Sequence, residues 1–132
     1  VVTLGPVLPY LTDSLENLQA LLADCVDAKV YGVLLNGFGV TLRAGASAYF
    51  FSCLRELSPE LPEAYEALLP PGKVGKTASF LSPNAAALAE LFGTSTAACG
   101  LVTDPEELFA FRHAFQDRRS GQQLSLFDLY DL

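Results

Sequence analysis

The sequence predicts an α/β fold: two successive βα units of a parallel sheet over residues 1–57, followed by a mostly helical extension. Two apolar, β-branched runs, at residues 1–4 and 30–35, lack the polar alternation of a half-exposed strand and so fit strands covered on both faces. Each run is followed by a segment whose apolar residues recur at helical spacing. Beyond residue 57 the pattern changes to helix starts led by proline.

Val1-Val2-Thr3-Leu4 is the first strand, ended by Gly5-Pro6 and Pro9 because proline cannot donate to a ladder. Asp13 is the expected N-cap of a helix over residues 14–29, with Glu16 as its capping-box partner and Leu15, Leu18, Leu22, Cys25 and Val26 on its apolar face. Residues 30–35 form the second strand, and residues 36–45 a glycine-bearing loop with Arg43. A second helix is expected at residues 46–57, with Tyr49, Phe50, Cys53, Leu54 and Leu57 on its apolar stripe. Ser58-Pro59 and Pro62 open a short helix to about Leu69, which Pro70-Pro71-Gly72 breaks, and residues 73–79 read as a polar loop. Ser82-Pro83 starts a helix carrying Leu88, Leu91 and Phe92. Asp104-Pro105-Glu106-Glu107 starts another, carrying Leu108, Phe111 and Phe115. The expected division is residues 1–57 for the βα units, 58–117 for the helical extension, and 118–132 for a linker and tail.

Composition narrows the function classes. A chain of 132 residues with 51% hydrophobic residues builds one packed domain. A formal charge of −7 argues against non-specific binding to phosphate backbones, which needs clustered Lys and Arg. The three cysteines, Cys25, Cys53 and Cys99, fit no metal or redox spacing and read as core thiols in a reducing, cytoplasmic setting. No apolar run approaches the roughly 18 residues of a membrane span, and no signal peptide is recognisable. The sequence has no Met and opens at Val1 directly in a strand. Two parallel strands do not make a stable sheet alone, so the chain is expected to be a piece of a larger fold.

The loops that follow the two strands are the candidate ligand face, since ligands in parallel βα units bind at the C-terminal strand ends. Right-handed crossovers put residues 6–13 and 36–43 on the same face. Asn36, Thr41 and Arg43 are the polar groups there, and Gly37 and Gly39 allow close backbone approach. The same residues also fit a plain glycine turn with Arg43 on the surface. Gly37-Phe38-Gly39 is no dinucleotide fingerprint, because Leu42 stands where the third glycine belongs. Gly72-Lys73-Val74-Gly75-Lys76-Thr77 is no phosphate loop, having two residues rather than four before its Gly-Lys pair. Asp13 is read as a helix cap and His113, the single histidine, as a solvated helix residue. No residue set reads as catalytic, and none as a metal site.

The last ten residues concentrate Leu124, Leu126, Phe127, Leu129 and Tyr130. They either fold back on the domain or insert into a hydrophobic partner groove as a short linear motif, with Gln123 giving the polar contact. Gln123-Leu124-Ser125-Leu126-Phe127 resembles the peptide that bacterial replication and repair proteins insert into the sliding clamp.

Several stretches together resemble one family. Gly5-Pro6-Val7-Leu8-Pro9, Thr12-Asp13, Asn36-Gly37-Phe38-Gly39-Val40-Thr41-Leu42-Arg43, Leu81-Ser82-Pro83-Asn84 and Phe109-Ala110-Phe111, with the terminal QLSLF, resemble radical S-adenosylmethionine (radical SAM) proteins of the spore photoproduct lyase-like, or DNA repair photolyase-like, group. The resemblance covers nearly the whole chain. It implies a partial (βα)6 TIM-like barrel, of which this chain holds the last two βα units. It also implies a 4Fe–4S cluster, S-adenosylmethionine cleaved to a 5′-deoxyadenosyl radical, and a nucleic-acid substrate. The C-x-x-x-C-x-x-C cluster motif is absent from this sequence, so the chain alone is expected to be inactive and to need the N-terminal half of that barrel as its partner. Residues 36–43 would then face the cofactor and substrate cavity. The rival reading is a small acidic interaction module that presents the QLSLF peptide to a sliding clamp.

Overall fold

The computed structural model describes residues 1–114. In chain order the elements are β1 (Val2–Leu4), α1 (Leu15–Asp27), β2 (Val33–Leu35), β3 (Gly39–Leu42), α2 (Ala44–Leu57), α3 (Leu61–Leu68), β4 (Ala78–Leu81), α4 (Ala85–Cys99) and α5 (Pro105–His113). β1 and β2 pair in parallel, with Val2 opposite Val33 and Leu4 opposite Leu35, and Val102 adds a parallel bridge to Gly32. β3 and β4 pair antiparallel, with Thr41 opposite Ser79 and Val40 opposite Phe80.

This overturns the expected partial (βα)6 TIM-like barrel. Such a barrel needs each helix to return the chain to a strand parallel to the last. Here the four strands of the described residues form two separate two-stranded sheets. After β3 the chain runs through α2 and α3 and comes back as the antiparallel partner of β3, not as a third parallel strand. The expected loop at residues 36–45 holds β3, and β4 begins within the expected loop at residues 73–79 and runs on to Leu81.

Two apolar clusters hold the elements. The first joins β1 and β2 to α1 and α4 through Leu4, Val33, Leu18, Leu22, Leu88 and Phe92, with Phe38 set edge-on to Phe92. The second joins the β3–β4 pair to α2 and α3 through Leu42, Phe80, Phe51, Leu54 and Tyr65. Each cluster draws residues from both sides of position 57. Along β4 the burial alternates with period 2, so Ala78 and Phe80 face the second core while Ser79 and Leu81 face outward.

The α2 stripe is rotated from the expected one. Ser47, Phe51 and Leu54 are buried, whereas Tyr49 is 76% and Leu57 67% exposed. The helix also starts earlier, because Thr77 supplies its cap from afar: the Ala44 N–H donates to the Thr77 hydroxyl at 3.2 Å. α1 ends earlier than expected. The Val30 N–H donates to the Cys25 carbonyl and the Lys29 N–H to that of Val26, at 3.1 and 2.9 Å, a Schellman closure with Lys29 at φ 52°. Sequence carries no signal of this, since the left-handed position usually holds glycine, as Gly100 does at the end of α4 with φ 68°. α5 begins as expected, with Asp104 accepting from the Glu107 N–H at 2.9 Å. It docks on the sheet through Tyr31, whose ring stacks on Phe111 at 3.8 Å and whose hydroxyl donates to Glu107 at 2.9 Å.

Tyr65 ties the β1–α1 loop to the second core. It is fully buried, meets Phe50, Phe80 and Tyr10 edge-on, and its hydroxyl donates to the Pro9 carbonyl at 2.6 Å. Burial, then the Asp13 carboxylate and Tyr10, push its phenol from the ordinary 10.0 up to about 12. The folded chain therefore holds this proton more tightly than the unfolded chain. The associated stability is full below pH 10 and lost as pH rises toward 12. Denaturant midpoints measured from pH 8 to 12 are expected to fall in that window, and Tyr65→Phe is expected to flatten the fall while lowering stability at pH 8 by about 1–3 kcal/mol, since the Pro9 carbonyl loses its donor. Lys29→Gly is expected to raise the thermal midpoint, gaining about 1 kcal/mol by removing a left-handed side chain.

Candidate functional site

The polar face of the β3–β4 pair is the floor of a cavity of about 630 Å³. Thr41 and Ser79, directly opposite each other, share a hydroxyl–hydroxyl hydrogen bond of 2.8 Å on this floor. The Gly5–Pro6 turn, whose peptide is cis, forms one wall, and Asn36 and Gly37 form another. Arg43 stands at the rim. All five residues expected at a ligand face, Asn36, Gly37, Gly39, Thr41 and Arg43, thus line one cavity.

Their reasons for being there differ. The Asn36 N–H extends the β1–β2 ladder by donating to the Leu4 carbonyl at 3.0 Å, which leaves its amide side chain exposed at the wall. Gly37 takes φ 89°, a left-handed turn that lets the chain pass from β2 into β3. Gly39 serves the sheet rather than a ligand: a Cβ there would lie 2.2 Å from the Phe80 carbonyl oxygen. Arg43 is the N-cap of α2 by its backbone, its carbonyl accepting from the Ala46 and Ser47 N–H groups at 2.9 and 3.0 Å, and its side chain makes no capping bond. Among the described residues no carboxylate pairs with its guanidinium. The first turn of α2 carries no acidic residue, so among the described residues nothing offsets the placing of a cationic residue at the positive end of this helix dipole. A guanidinium, two hydroxyls and a carboxamide around one concavity suit a carboxylate or phosphate group.

Behind the cavity lies a buried polar cluster. Asp13 is 5% and Ser82 4% exposed, and the Ser82 hydroxyl donates to the Asp13 carboxylate at 2.5 Å. The Asn84 N–H donates to that same hydroxyl at 2.9 Å, and the Asn84 side-chain amide donates to the Asp13 carbonyl at 3.2 Å. Asp13 is therefore not the helix cap; Ser14 is, accepting from the Asn17 N–H at 3.1 Å. One residue before the cap, the Asp13 carboxylate is free to turn inward to Ser82. Sequence reasoning also missed Ser79, placed in a polar loop. The alternation through Ala78-Ser79-Phe80-Leu81 was the signal available.

A second, apolar cavity of about 310 Å³ adjoins the same turn, lined by Gly5, Pro6, Leu18, Leu21, Phe38 and Leu88 among others. His113 is exposed at the end of α5, as expected. The cysteines are only partly core thiols. Cys25 is buried, and burial with the nearby Asp24 pushes its thiol up. Cys53 is half-buried and its hydrogen bond with Tyr49 raises that phenol, while Cys99 is exposed. Among the described residues no group of His, Cys, Asp and Glu could hold a metal ion, and no helix is long and apolar enough to cross a membrane. The tail residues Gln123, Leu124, Leu126 and Phe127 lie outside the described residues.

No protein-family model matches the chain, and no solved structure matches it. It is similar to uncharacterized proteins of Mycobacterium bovis and of two strains of Mycobacterium tuberculosis, being 40% identical to each over 67 residues. The match covers 51% of this chain but 19% of each relative, so this chain spans a small part of the length of those proteins.

Gly39→Ala is expected to destabilise the chain by about 1–3 kcal/mol, because the β4 backbone must give way. Gly45→Ala, in α2 with open space around it, is expected to be neutral or to stabilise by about 0.5–1 kcal/mol. Urea midpoints of the two variants check the contrast, and equal midpoints would remove the close-packing account of Gly39.

Proposed function

We propose that this chain is the ligand-facing segment of a longer cytoplasmic radical SAM enzyme of the spore photoproduct lyase-like kind, with nucleic acid as its substrate class. One observation carries the reading. Stretches that bear the resemblance are far apart in sequence, yet Gly5-Pro6, the residues Asn36, Gly37, Gly39, Val40, Thr41 and Arg43, and Leu81 line a single cavity, while Asp13, Ser82 and Asn84 are bonded together. Three of the resembling stretches converge on one concavity whose arginine has no carboxylate partner among the described residues, the pattern of a binding site rather than of scattered turns. The greater length of the mycobacterial relatives agrees with a segment that works within a larger protein.

The 4Fe–4S cluster does not fit the described residues. Cys25, Cys53 and Cys99 belong to α1, α2 and α4, and no metal-holding group exists among the described residues. No chemical step is therefore assigned to this chain. Its own contribution is binding: Arg43 with Thr41, Ser79 and Asn36 receives an anionic group, the carboxylate of S-adenosylmethionine or a nucleic-acid phosphate.

The test uses the full reading frame that contains this chain. That frame is expected to encode C-x-x-x-C-x-x-C outside these 132 residues. The purified protein, reconstituted with iron and sulfide under anaerobic conditions and given dithionite, is expected to release 5′-deoxyadenosine from S-adenosylmethionine. Arg43→Ala is expected to lower kcat/KM by about 10-fold or more, the worth of a charge-assisted hydrogen bond. A frame without the cysteine motif, or a protein that binds no cluster, sinks the proposal.

A further inference from the structure

We infer that Ser82 and Asp13 are positioning residues of the cavity: they hold its walls in register from behind, without touching what the cavity binds. The inference rests on the reading of this cavity as a ligand site. Neither residue lines the cavity, yet each belongs to a segment that does. Asp13 ends the loop that begins with the Gly5–Pro6 wall. Ser82 follows directly on Ser79 to Leu81. The wall of Asn36 and Gly37 is tied in by the Ser82 N–H, which donates at 2.8 Å to the carbonyl of Phe38, between Gly37 and Gly39. One serine thus bonds to all the other segments: through its hydroxyl to Asp13, through its amide to the β2–β3 connection, and through its accepted bond to the start of α4.

The Asp13 contact reaches the wall because the intervening loop is stiff. The Leu8 N–H donates to the Thr12 hydroxyl at 2.8 Å, and the Thr12 N–H returns to the Leu8 carbonyl at 2.9 Å. The Pro9 carbonyl is held by Tyr65, and Asn17 grips the Thr12 carbonyl at 2.9 Å. Prolines 6 and 9 restrict the backbone further. A shift at Asp13 is therefore passed to Pro6 rather than absorbed on the way. The Ser82 hydroxyl has one proton, and its acceptors compete for nothing else: it gives that proton to Asp13 and takes the Asn84 N–H. Alanine at position 82 removes both and leaves a buried carboxylate without its donor.

Amide spectra of the 132-residue chain test this without any ligand. Ser82→Ala is expected to displace the resonances of Gly5, Asn36, Gly37 and Gly39, and Ser82→Thr, which keeps the hydroxyl, to restore them. Asp13→Asn, which keeps an acceptor for Ser82, is expected to leave them near their original positions. A folded Ser82→Ala chain with unmoved cavity amides overturns the inference, as does a folded Ser82→Thr chain that fails to restore them. Should Ser82→Ala not fold, Asp13→Ala carries the test, since it removes the acceptor of the Ser82 hydroxyl and leaves the other bonds of Ser82 in place. The same amides are then expected to move by less, and their staying in place overturns the inference. In the full-length protein Ser82→Ala is expected to raise KM for S-adenosylmethionine or nucleic acid several-fold more than it lowers kcat. Absence of any S-adenosylmethionine chemistry in that protein would sink the proposed function while leaving the amide result to stand or fall by itself.

Discussion

The antiparallel pairing of Gly39–Leu42 with Ala78–Leu81 determines where everything else in the structure goes. It closes a connection that holds two helices, and its buried face gives those helices a surface to cover. Val40, Leu42, Ala78 and Phe80 meet Phe51, Leu54 and Tyr65 there. Its other face sets Thr41 against Ser79 and so makes a polar floor. Its end delivers Ser82 to Asp13 and launches α4 onto α1, which completes the first core. The two backbones approach closely enough that position 39 accepts no side chain. Closing so long a loop costs little more entropy than closing a short one, because the cost grows only logarithmically with length. The packing on both sides of the pair offsets it.

This pairing is also what the sequence hides. The helices were legible because amphipathic spacing, Pro-led starts and the Asp104 cap are local signals. The parallel strands were legible because Val-rich runs between turns are local too. β3 and β4 are short, contain Gly39, Thr41 and Ser79, and gain their stability from each other rather than from their own composition. A reader of one segment cannot see its partner. With β3 and β4 read as loops, the only strands left were the parallel ones, and these agreed with the barrel that the family resemblance implies. The same non-locality explains the rotated face of α2. Its apolar residues surround much of the helix, so only the position of β3 and α3 decides that Phe51 is buried and Tyr49 exposed.

The cavity residues were legible for a different reason. Asn36, Thr41 and Arg43 sit in a short stretch where two glycines mark an abrupt change of direction, and polar side chains on such a stretch must face water or a ligand. What the sequence did not separate was the purpose of each residue. Gly39 answers to the neighbouring strand, Gly37 to the turn, and Arg43, the one cationic residue in the cavity lining, has no carboxylate partner among the described residues. A cation at the positive end of a helix works against the local field. Local rules are broken most often where function requires it, so this position is the natural centre of the binding proposal.

The loss of the barrel removes the fold that the resemblance implies and leaves the side chains that line the cavity in place. A fold hosts many chemistries, and function has to be argued from the site. The barrel was what the family resemblance implied for the two parallel βα units, and the pairing of β3 with β4 overturns it. The ligand site is inferred from side chains that meet whatever the strand count. The motif residues themselves divide along this line. Asn36, Thr41 and Arg43 face the cavity, whereas Asp13 and Ser82 face each other in the interior. A resemblance in the first set speaks to what is bound; a resemblance in the second speaks to how the binding groups are held. Both sets are present in one chain, and the second is buried where only a fixed arrangement of the first would give it value. A carboxylate placed in the interior and satisfied by a serine hydroxyl is a costly way to join two segments when apolar contacts would serve. What it adds over apolar contact is direction: hydrogen bonds fix the loop at one register, and the groups at the cavity rim inherit that register.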